Sequence, residues 1–343
     1  MTALPGPVVV MGAGSVGCYV GGRLQAAGAE LHFVGRPRVL QALRAHGLTV
    51  TDLDGGRVQL ATSQLHLLEA PLVRAALMEV SSRPASLVLL CVKSGATAAA
   101  AAELAAALPP GTLVLSLQNG VANADVGRGA APALTWLPGM VPYNIAELGP
   151  GHFHRGTAGR LAVQDHPALR PWLPVFKAAG LPLALHADLA PVQWGKLLLN
   201  LNNPVNALSG LPLRTQLLDR DCRRVFAALQ SEALRALRAA GIAPAQLTPL
   251  PPRRLPLVMR LPTWLFRRLA ARMLRMDEKA RSSMADDLAL GRRTEVDAIC
   301  GAVVRLAQAH GLQAPLSAKL VELLSVPRPA VVGGRGLRRL LGI

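Results

Sequence analysis

The chain reads as an α/β protein: an N-terminal Rossmann-like dinucleotide-binding domain followed by an all-helical C-terminal domain. Three observations predict it. Short β-branched runs alternate with helical stretches through the first half, the pattern that builds a doubly wound parallel sheet. A glycine hexapeptide, GAGSVG, stands between the first run and the first helical stretch. Beyond about residue 188 only helical periodicity persists. At 343 residues the chain is also too long for one typical core and suits two domains. The expected boundaries are 1–187 for the nucleotide domain, 188–328 for the helical domain and 329–343 for a mobile basic tail.

The elements follow in order. PVVVMGAGSVG (7–17) supplies a first strand, and residues 15–27 have helical composition up to Gly28. ELHFVGR (30–36) is a second strand, and LTVTDLDGGRVQLAT (48–62) reads as a hairpin about its Gly-Gly turn. SLVLLCVK (86–93) is continuously apolar, as a strand covered on both faces must be. An alanine helix and another buried strand ending in a polar turn, TLVLSLQNG (112–120), come next. A proline-bearing stretch around 167–191 joins the halves. The second half holds WGKLLLNLNN, RVFAALQSEALRALRAAG, PTWLFRRLAARMLR and EVDAICGAVVRLAQAHG. In the last of these Val296, Ile299, Cys300, Val303 and Val304 recur at helical spacing.

Composition narrows the class. A hydrophobic content of 51% excludes general disorder. The four cysteines, Cys18, Cys91, Cys222 and Cys300, form no C-x-x-C pair, so no metal site and no disulfide framework is expected. The N-terminus lacks a basic leader, and the alanine-rich run at 95–108 is short of a membrane span. A soluble, reducing compartment, the cytoplasm, is the expectation. The net charge of +17 concerns partners rather than fold. Residues 253–275 hold seven arginines and no acid, a pattern that a membrane surface or an acidic partner can use. A solvated face whose arginine stems cover apolar neighbours is the preferred reading, because Pro256 and Pro262 interrupt any long amphipathic helix. Nucleic acid is not an expected partner, since no aromatic platform or zinc module accompanies the charge.

Gly12-Ala13-Gly14-Ser15-Val16-Gly17 fits G-x-G-x-x-G directly after a strand and at the start of a helix, the context that gives the motif weight. Its glycines permit a tight turn and close approach of backbone N–H groups to a pyrophosphate. All six residues are therefore cofactor-binding candidates. An NAD site usually has an acid at the end of the second strand. Here that end reads Val34-Gly35-Arg36, while Glu30 stands at the opposite end. A guanidinium suits a 2′-phosphate, so Arg36, with Arg38 nearby, argues for NADP.

KLLLNLNNPVN (196–206) sets one lysine and four asparagines into a leucine run. At about 100° per residue Lys196, Asn200 and Asn203 fall on one stripe, with Leu197, Leu198 and Leu201 around it. Pro204 has no N–H for the carbonyl of Asn200, so a kink is expected there. Asparagine is a poor helix former, and the stripe reads as the lining of a cleft rather than a solvent face. Ser282-Ser283 with Asp286 reads as a helix start, either a cap alone or a seat for a carboxylate. Thr294 is a candidate N-cap with Glu295 in the first turn.

Taken together, GAGSVG, the LQNG after a strand, GKLLLNLNNPVNAL and SSMADDLALGRRTEVD resemble the ketopantoate reductase family, in that family's order and across most of the chain. The resemblance implies an enzyme that uses NADPH to reduce a small 2-keto acid, ketopantoate, to pantoate on the route to pantothenate and coenzyme A. It implies Lys196 as general acid to the ketone oxygen and Glu295 as the acidic residue near that lysine and the substrate. Asn200 would hold the lysine or the substrate in place, Asn203 and Ser283 would contact substrate, Asn119 both substrate and nicotinamide, and Lys93 the cofactor. The family places its second helix asparagine four residues after the first; here Asn203 follows Asn200 by three. The chemistry is coherent: hydride addition leaves an alkoxide, and a positioned acid contributes about 10²–10⁴-fold. Burial among leucines draws a lysine toward working pH, and a carboxylate opposes that drift. Two other functions fit the residues: reduction of a different small 2-keto acid, and NADPH sensing without turnover. A homodimer is compatible with the sequence.

Overall fold

Val8–Met11 is apolar at every position because it becomes the middle of a sheet covered on both faces. Val8 and Val10 enter one buried cluster and Val9 and Met11 another, as the two-residue period of a strand requires. The structure, a computed structural model, describes residues 6–69, 84–271, 273, 274, 278, 280–326 and 330–343. It divides into two units, Met1–Leu189 and Ala190–Ile343.

The strands of the first unit are β1 (Val8–Met11), β2 (Leu31–Gly35), β3 (Leu48–Asp52), β4 (Arg57–Leu60), β5 (His66–Glu69) and β6 (Leu87–Leu90). They continue with β7 (Leu113–Ser116), β8 (Thr135–Met140), β9 (Ile145–Gly149), β10 (His152–Arg155), β11 (Ala162–Gln164) and β12 (Ala184–His186). Its helices are α1 (Ser15–Ala26), α2 (Pro37–His46), α3 (Thr97–Ala107), α4 (Asn123–Ala130) and α5 (Leu173–Ala178). Eight strands form one sheet in the order β12-β11-β8-β7-β6-β1-β2-β5. From β5 to β8 every neighbour is parallel, and winding reverses at β1. That is the doubly wound arrangement, which binds ligands beyond the carboxyl ends of the central strands.

The hairpin expected at 48–62 is present: β3 pairs antiparallel with β4, and Gly55 supplies φ +82° in the turn. The carboxylate of Asp52 holds the turn by accepting the N–H groups of Asp54 and Gly56. This hairpin belongs to a second sheet, β4-β3-β10-β9, that the sequence did not foretell. Nor is the stretch around 167–191 a plain connection. It carries a 3₁₀ turn at Pro167–Trp172, α5 and β12, with Leu169, Trp172 and Phe176 buried. Pro167 and Pro174 cost these elements nothing, since each stands in a first turn where an N–H is not needed.

The second unit contains α6 (Ala190–Asn200), α7 (Asn202–Ser209), α8 (Leu213–Leu218), α9 (Arg220–Ala239), α10 (Leu255–Arg260) and α11 (Thr263–Leu269). It continues with α12 (Ser283–Ala289), α13 (Ala302–Ala309), α14 (Pro315–Ser325) and α15 (Gly333–Leu341). No strand occurs among its described residues. The longest helix, α9, buries Cys222, Val225, Phe226, Leu229, Ala233 and Ala236 along one stripe. Two of its charges are also buried and satisfied. Glu232 accepts the N–H groups of Leu316 and Ser317 at the start of α14, at 3.0 and 2.8 Å. Arg223 donates to the carbonyls of Leu217, Leu218, Met259 and Leu261 and lies 4.4 Å from the centre of the Phe266 ring.

The basic tail corrects an expectation. Residues 333–341 are not a mobile end but a helix, α15, with Leu337 fully buried. Arg338 pairs with Asp221 on α9 at 2.7 Å, and a side chain at Gly334 would stand 2.8 Å from the Cys222 sulfur. The local sequence, rich in glycine, has little helix propensity; docking of its leucines supplies the stability.

Candidate active site

The strand-to-helix turn after β1 gives each glycine of the hexapeptide its own task. Gly12 and Ala13 both donate to the carbonyl of Val34 on β2, at 3.0 and 2.8 Å. Gly12 sits at φ +111°, and a Cβ there would lie 2.6 Å from the backbone nitrogen of Val92. Gly17 lies so close to the Gly12 carbonyl and to Val10 that no side chain fits. Gly14, the residue before α1, is different: a Cβ there meets nothing within 4 Å. Its side is open above a helix N-terminus that carries no acid in its first turn. Two glycines are needed by the fold and one is not, and the open space beside Gly14 suits the approach of a pyrophosphate. The residues present fit a dinucleotide.

Arg36 directly follows β2, stands at the start of α2 and is exposed. Arg38 is already engaged, its two terminal nitrogens donating to the two carboxylate oxygens of Glu147, each at 3.1 Å. That leaves Arg36 as the guanidinium suited to a 2′-phosphate. Glu30, at the far end of β2, lies 3.5 Å from His32. The strand end that would hold an NAD-type acid holds Arg36 instead.

The loops after β6 and β7 carry the half-buried Lys93 and Asn119. A polar network fixes them. Ser94 and Asn123 both donate to the Asn119 carbonyl, at 2.9 and 2.7 Å. Gln118 donates to the Val92 carbonyl and to Thr97, Ser116 donates to Gln118, and Thr97 to Asn123. Ser116, Gln118, Thr97 and Asn123 are all buried, and a buried network with its bonds made holds its members rigidly. These four residues were not among the sequence candidates. Ser116 and Gln118 carry a sequence signal, polar residues closing an apolar strand in LSLQNG, whereas Thr97 and Asn123 carry none.

In the helical unit, Lys196 comes from α6 and Glu295 from the residue before the helical turn that begins at Val296. Both are half-buried. Gly195 lets the chain at Ala245 press onto α6 beside the lysine: a Cβ there would come within 2.5 Å of the Ala245 carbonyl oxygen. Burial pushes the Lys196 ammonium down to about 8, and the charge of Glu295 opposes that fall. The charge of Glu295, 99 residues further along the chain, is thus felt at Lys196. Thr294 accepts the N–H of Val296 at 3.4 Å, so Glu295 stands at a helix start as its sequence context suggests.

The asparagine stripe is broken. The helix stops at Asn200 and restarts at Asn202, with Pro204 in the first turn of α7. Lys196 and Asn200 share α6, whereas Asn203 belongs to α7 and is not carried by the same helix. Asn202 exchanges hydrogen bonds with Gln216, at 3.1 and 3.0 Å, and is structural. Asn206, fully buried, accepts the N–H of Ser282 at 2.9 Å and donates to the Leu211 carbonyl at 2.8 Å. It thus ties α7 to the start of α12, and Ser282 also reaches the Asn203 carbonyl at 3.4 Å. Ser282 is the cap, accepting the N–H of Ala285, while Ser283 is exposed beside it. Asn203 and Ser283 are therefore brought to one corner of the unit, held there by Asn206.

A doubly wound nucleotide unit with an open glycine turn, followed by a helical unit bearing an acid of lowered pKa, defines a dinucleotide-dependent oxidoreductase. The chain belongs to the ketopantoate reductase family. The family model described as ketopantoate reductase PanE/ApbA matches residues 8–168, and its C-terminal counterpart matches residues 188–327. The chain is 30% identical to the 2-dehydropantoate 2-reductase of Halobacterium salinarum, covering 92% of this chain and 97% of that one. It is 30% identical to the enzyme of the same name from Caulobacter vibrioides, over 74% of this chain and 81% of the other. A crystal structure of a PanE/ApbA family ketopantoate reductase from Ralstonia eutropha superimposes with a TM-score of 0.76 at 31% identity, covering 93% and 97%.

The contrast among the glycines is testable. Gly14→Ala should leave the thermal midpoint unchanged yet weaken NADPH at least tenfold, about 1.4 kcal/mol, because a methyl fills the pyrophosphate seat. Gly17→Ala should lower the thermal midpoint itself, since its methyl has nowhere to go. Titration of cofactor fluorescence beside a melting curve separates the two.

Proposed function

We propose that the chain reduces the ketone of ketopantoate to the alcohol of pantoate with NADPH as reductant. The observation that carries this reading is Lys196, held near pKa 8 beside Glu295 in a member of this family. NADPH, when bound, supplies the hydride to the carbonyl carbon. Lys196 gives its proton to the carbonyl oxygen, so that one hydride and one proton together yield the hydroxyl. An ammonium of pKa near 8 is a better donor than an ordinary lysine and is still largely protonated at neutral pH. Glu295 keeps that charge from being lost to burial. Asn200 lies one helical turn from Lys196 and orients it or the substrate. Asn203 and Ser283, held together through Asn206 and Ser282, contact the substrate. Asn119 and Lys93, on loops fixed by the Gln118 network, serve the cofactor and the substrate. Gly12 to Gly17 hold the pyrophosphate and Arg36 the 2′-phosphate. No helix among the described residues is long and apolar enough to cross a membrane; the reading takes the enzyme to be cytoplasmic.

A second reading is favoured by the break at Leu201 and the advanced position of Asn203. A displaced amide alters the hydrogen bonds offered to the substrate, and a polar site that loses a partner can discriminate by orders of magnitude. The substrate is then another small 2-keto acid.

Purified protein with NADPH and ketopantoate should consume the nicotinamide absorbance in the presence of substrate only. A panel of 2-keto acids ranked by kcat/KM decides between the two readings, and absence of turnover with every member would defeat both. Lys196→Ala should lower kcat by about 10²–10⁴-fold with NADPH affinity intact; unaltered turnover would remove the lysine from the chemistry. Arg36→Ala should weaken NADPH far more than NADH in direct binding. Equal losses for the two cofactors would show that Arg36 does not read the phosphate.

A further inference from the structure

The arginine-rich segment 253–275 takes no part in the site described above. Within it α10 buries Leu255, Pro256 and Met259 and leaves Leu257 and Arg260 exposed. In α11 only Phe266 is buried. Trp264 is 70% exposed and Leu269 62%, with Arg267 and Arg268 also in solvent. At about 100° per residue Trp264, Arg267 and Arg268 share one face of α11, and Phe266 points the opposite way. The bend that carries this face is firmly held from within. Buried Arg223 bonds the carbonyls of Met259 and Leu261 and the hydroxyl of Thr263, and stacks on Phe266. Among the described residues Arg253, Arg254, Arg267 and Arg268 form no ion pair. A tryptophan thus stands in water among arginines that have no counter-charge among the described residues, on a surface that internal bonds hold in place.

We propose that this tryptophan–arginine face docks on an anionic phospholipid surface, with Trp264 entering the headgroup layer and Arg267 and Arg268 meeting lipid phosphates. Trp is the side chain best suited to that depth, being apolar in its rings and wet at its N–H. Charge complementarity selects the lipid over the alternatives. A second copy meeting this face across a twofold axis would set arginines against arginines. Nucleic acid would satisfy the arginines but would gain nothing from Leu257, which is also exposed in the neighbouring α10. An anionic bilayer answers both the charge and the apolar exposure, so the enzyme would be reversibly peripheral rather than spanning.

Fluorescence gives a direct test, because the other three tryptophans, Trp136, Trp172 and Trp194, are buried. Emission of the full chain should shift to the blue with vesicles of phosphatidylcholine containing phosphatidylglycerol, and not with phosphatidylcholine alone. Salt should reverse the shift. Trp264→Ala should abolish it, and Arg267→Gln with Arg268→Gln should weaken vesicle sedimentation about 25-fold, taking about fivefold for each arginine. Turnover of NADPH should be unchanged in all of these variants. Equal binding to neutral and anionic vesicles, or none, would overturn the proposal. So would a dimer in sedimentation velocity that Trp264→Ala dissolves, or tighter binding to single-stranded DNA than to the vesicles.

Discussion

A lysine drawn among apolar side chains loses proton affinity unless a carboxylate answers it, and Lys196 and Glu295 of the helical unit meet that constraint together. Lys196 sits on a helix whose neighbouring leucines, Leu197, Leu198 and Leu201, are almost fully buried. Their burial lowers the proton affinity of the amine, and Glu295, about a hundred residues further along the chain, restores part of it. In the proposed role of proton donor both influences matter: unopposed burial would favour the neutral amine, and an unopposed carboxylate would hold the proton more tightly. Much nearby structure secures this balance. Gly195 admits the chain at Ala245 against α6, and Thr294 accepts the N–H of Val296, the residue after the carboxylate.

The nucleotide unit meets a different constraint, that of offering backbone N–H groups to an anion while keeping the chain compact around them. Gly12 and Gly17 are demanded by the protein's own packing, whereas Gly14 leaves space that the protein itself does not fill. The loops after β6 and β7 are held by side-chain hydrogen bonds among buried residues, so Lys93 and Asn119 are presented from a rigid edge. Rigidity is what allows a small number of polar groups to fix the orientation of a ligand.

Much of this was legible in the residues. The strands of the first sheet that are continuously apolar, β1, β6 and β7, announce burial on both faces, and GAGSVG announces the turn. The change to helical periodicity near residue 188 separates the halves. What escaped reading depends on contacts made far away in sequence. The second sheet needs β10 beside β3, about a hundred residues apart, and β9 and β10 are short strands of mixed polar residues. The C-terminal helix has a glycine-rich local sequence and is helical because α9 receives its leucines and Arg338. The candidate site divides the same way. Lys196, Glu295 and the glycines stand out by residue type against their surroundings. Asn206 does not, because its task lies in a bond to Ser282, 76 residues later. The single stripe of Lys196, Asn200 and Asn203 assumed a continuous helix, and Pro204 with its missing N–H ended that continuity at Leu201.

The balance between Lys196 and Glu295 is tested most directly by the pH dependence of kcat/KM in the full chain and in Glu295→Gln. A general acid works in its protonated form, so activity should be full below about 8 and fall about tenfold per pH unit above it. Removing the carboxylate takes away what raises the lysine, so the falling limb should move to lower pH in the variant. A limb that stays in place or moves to higher pH in Glu295→Gln, or a rate that rises through pH 8, would contradict the account.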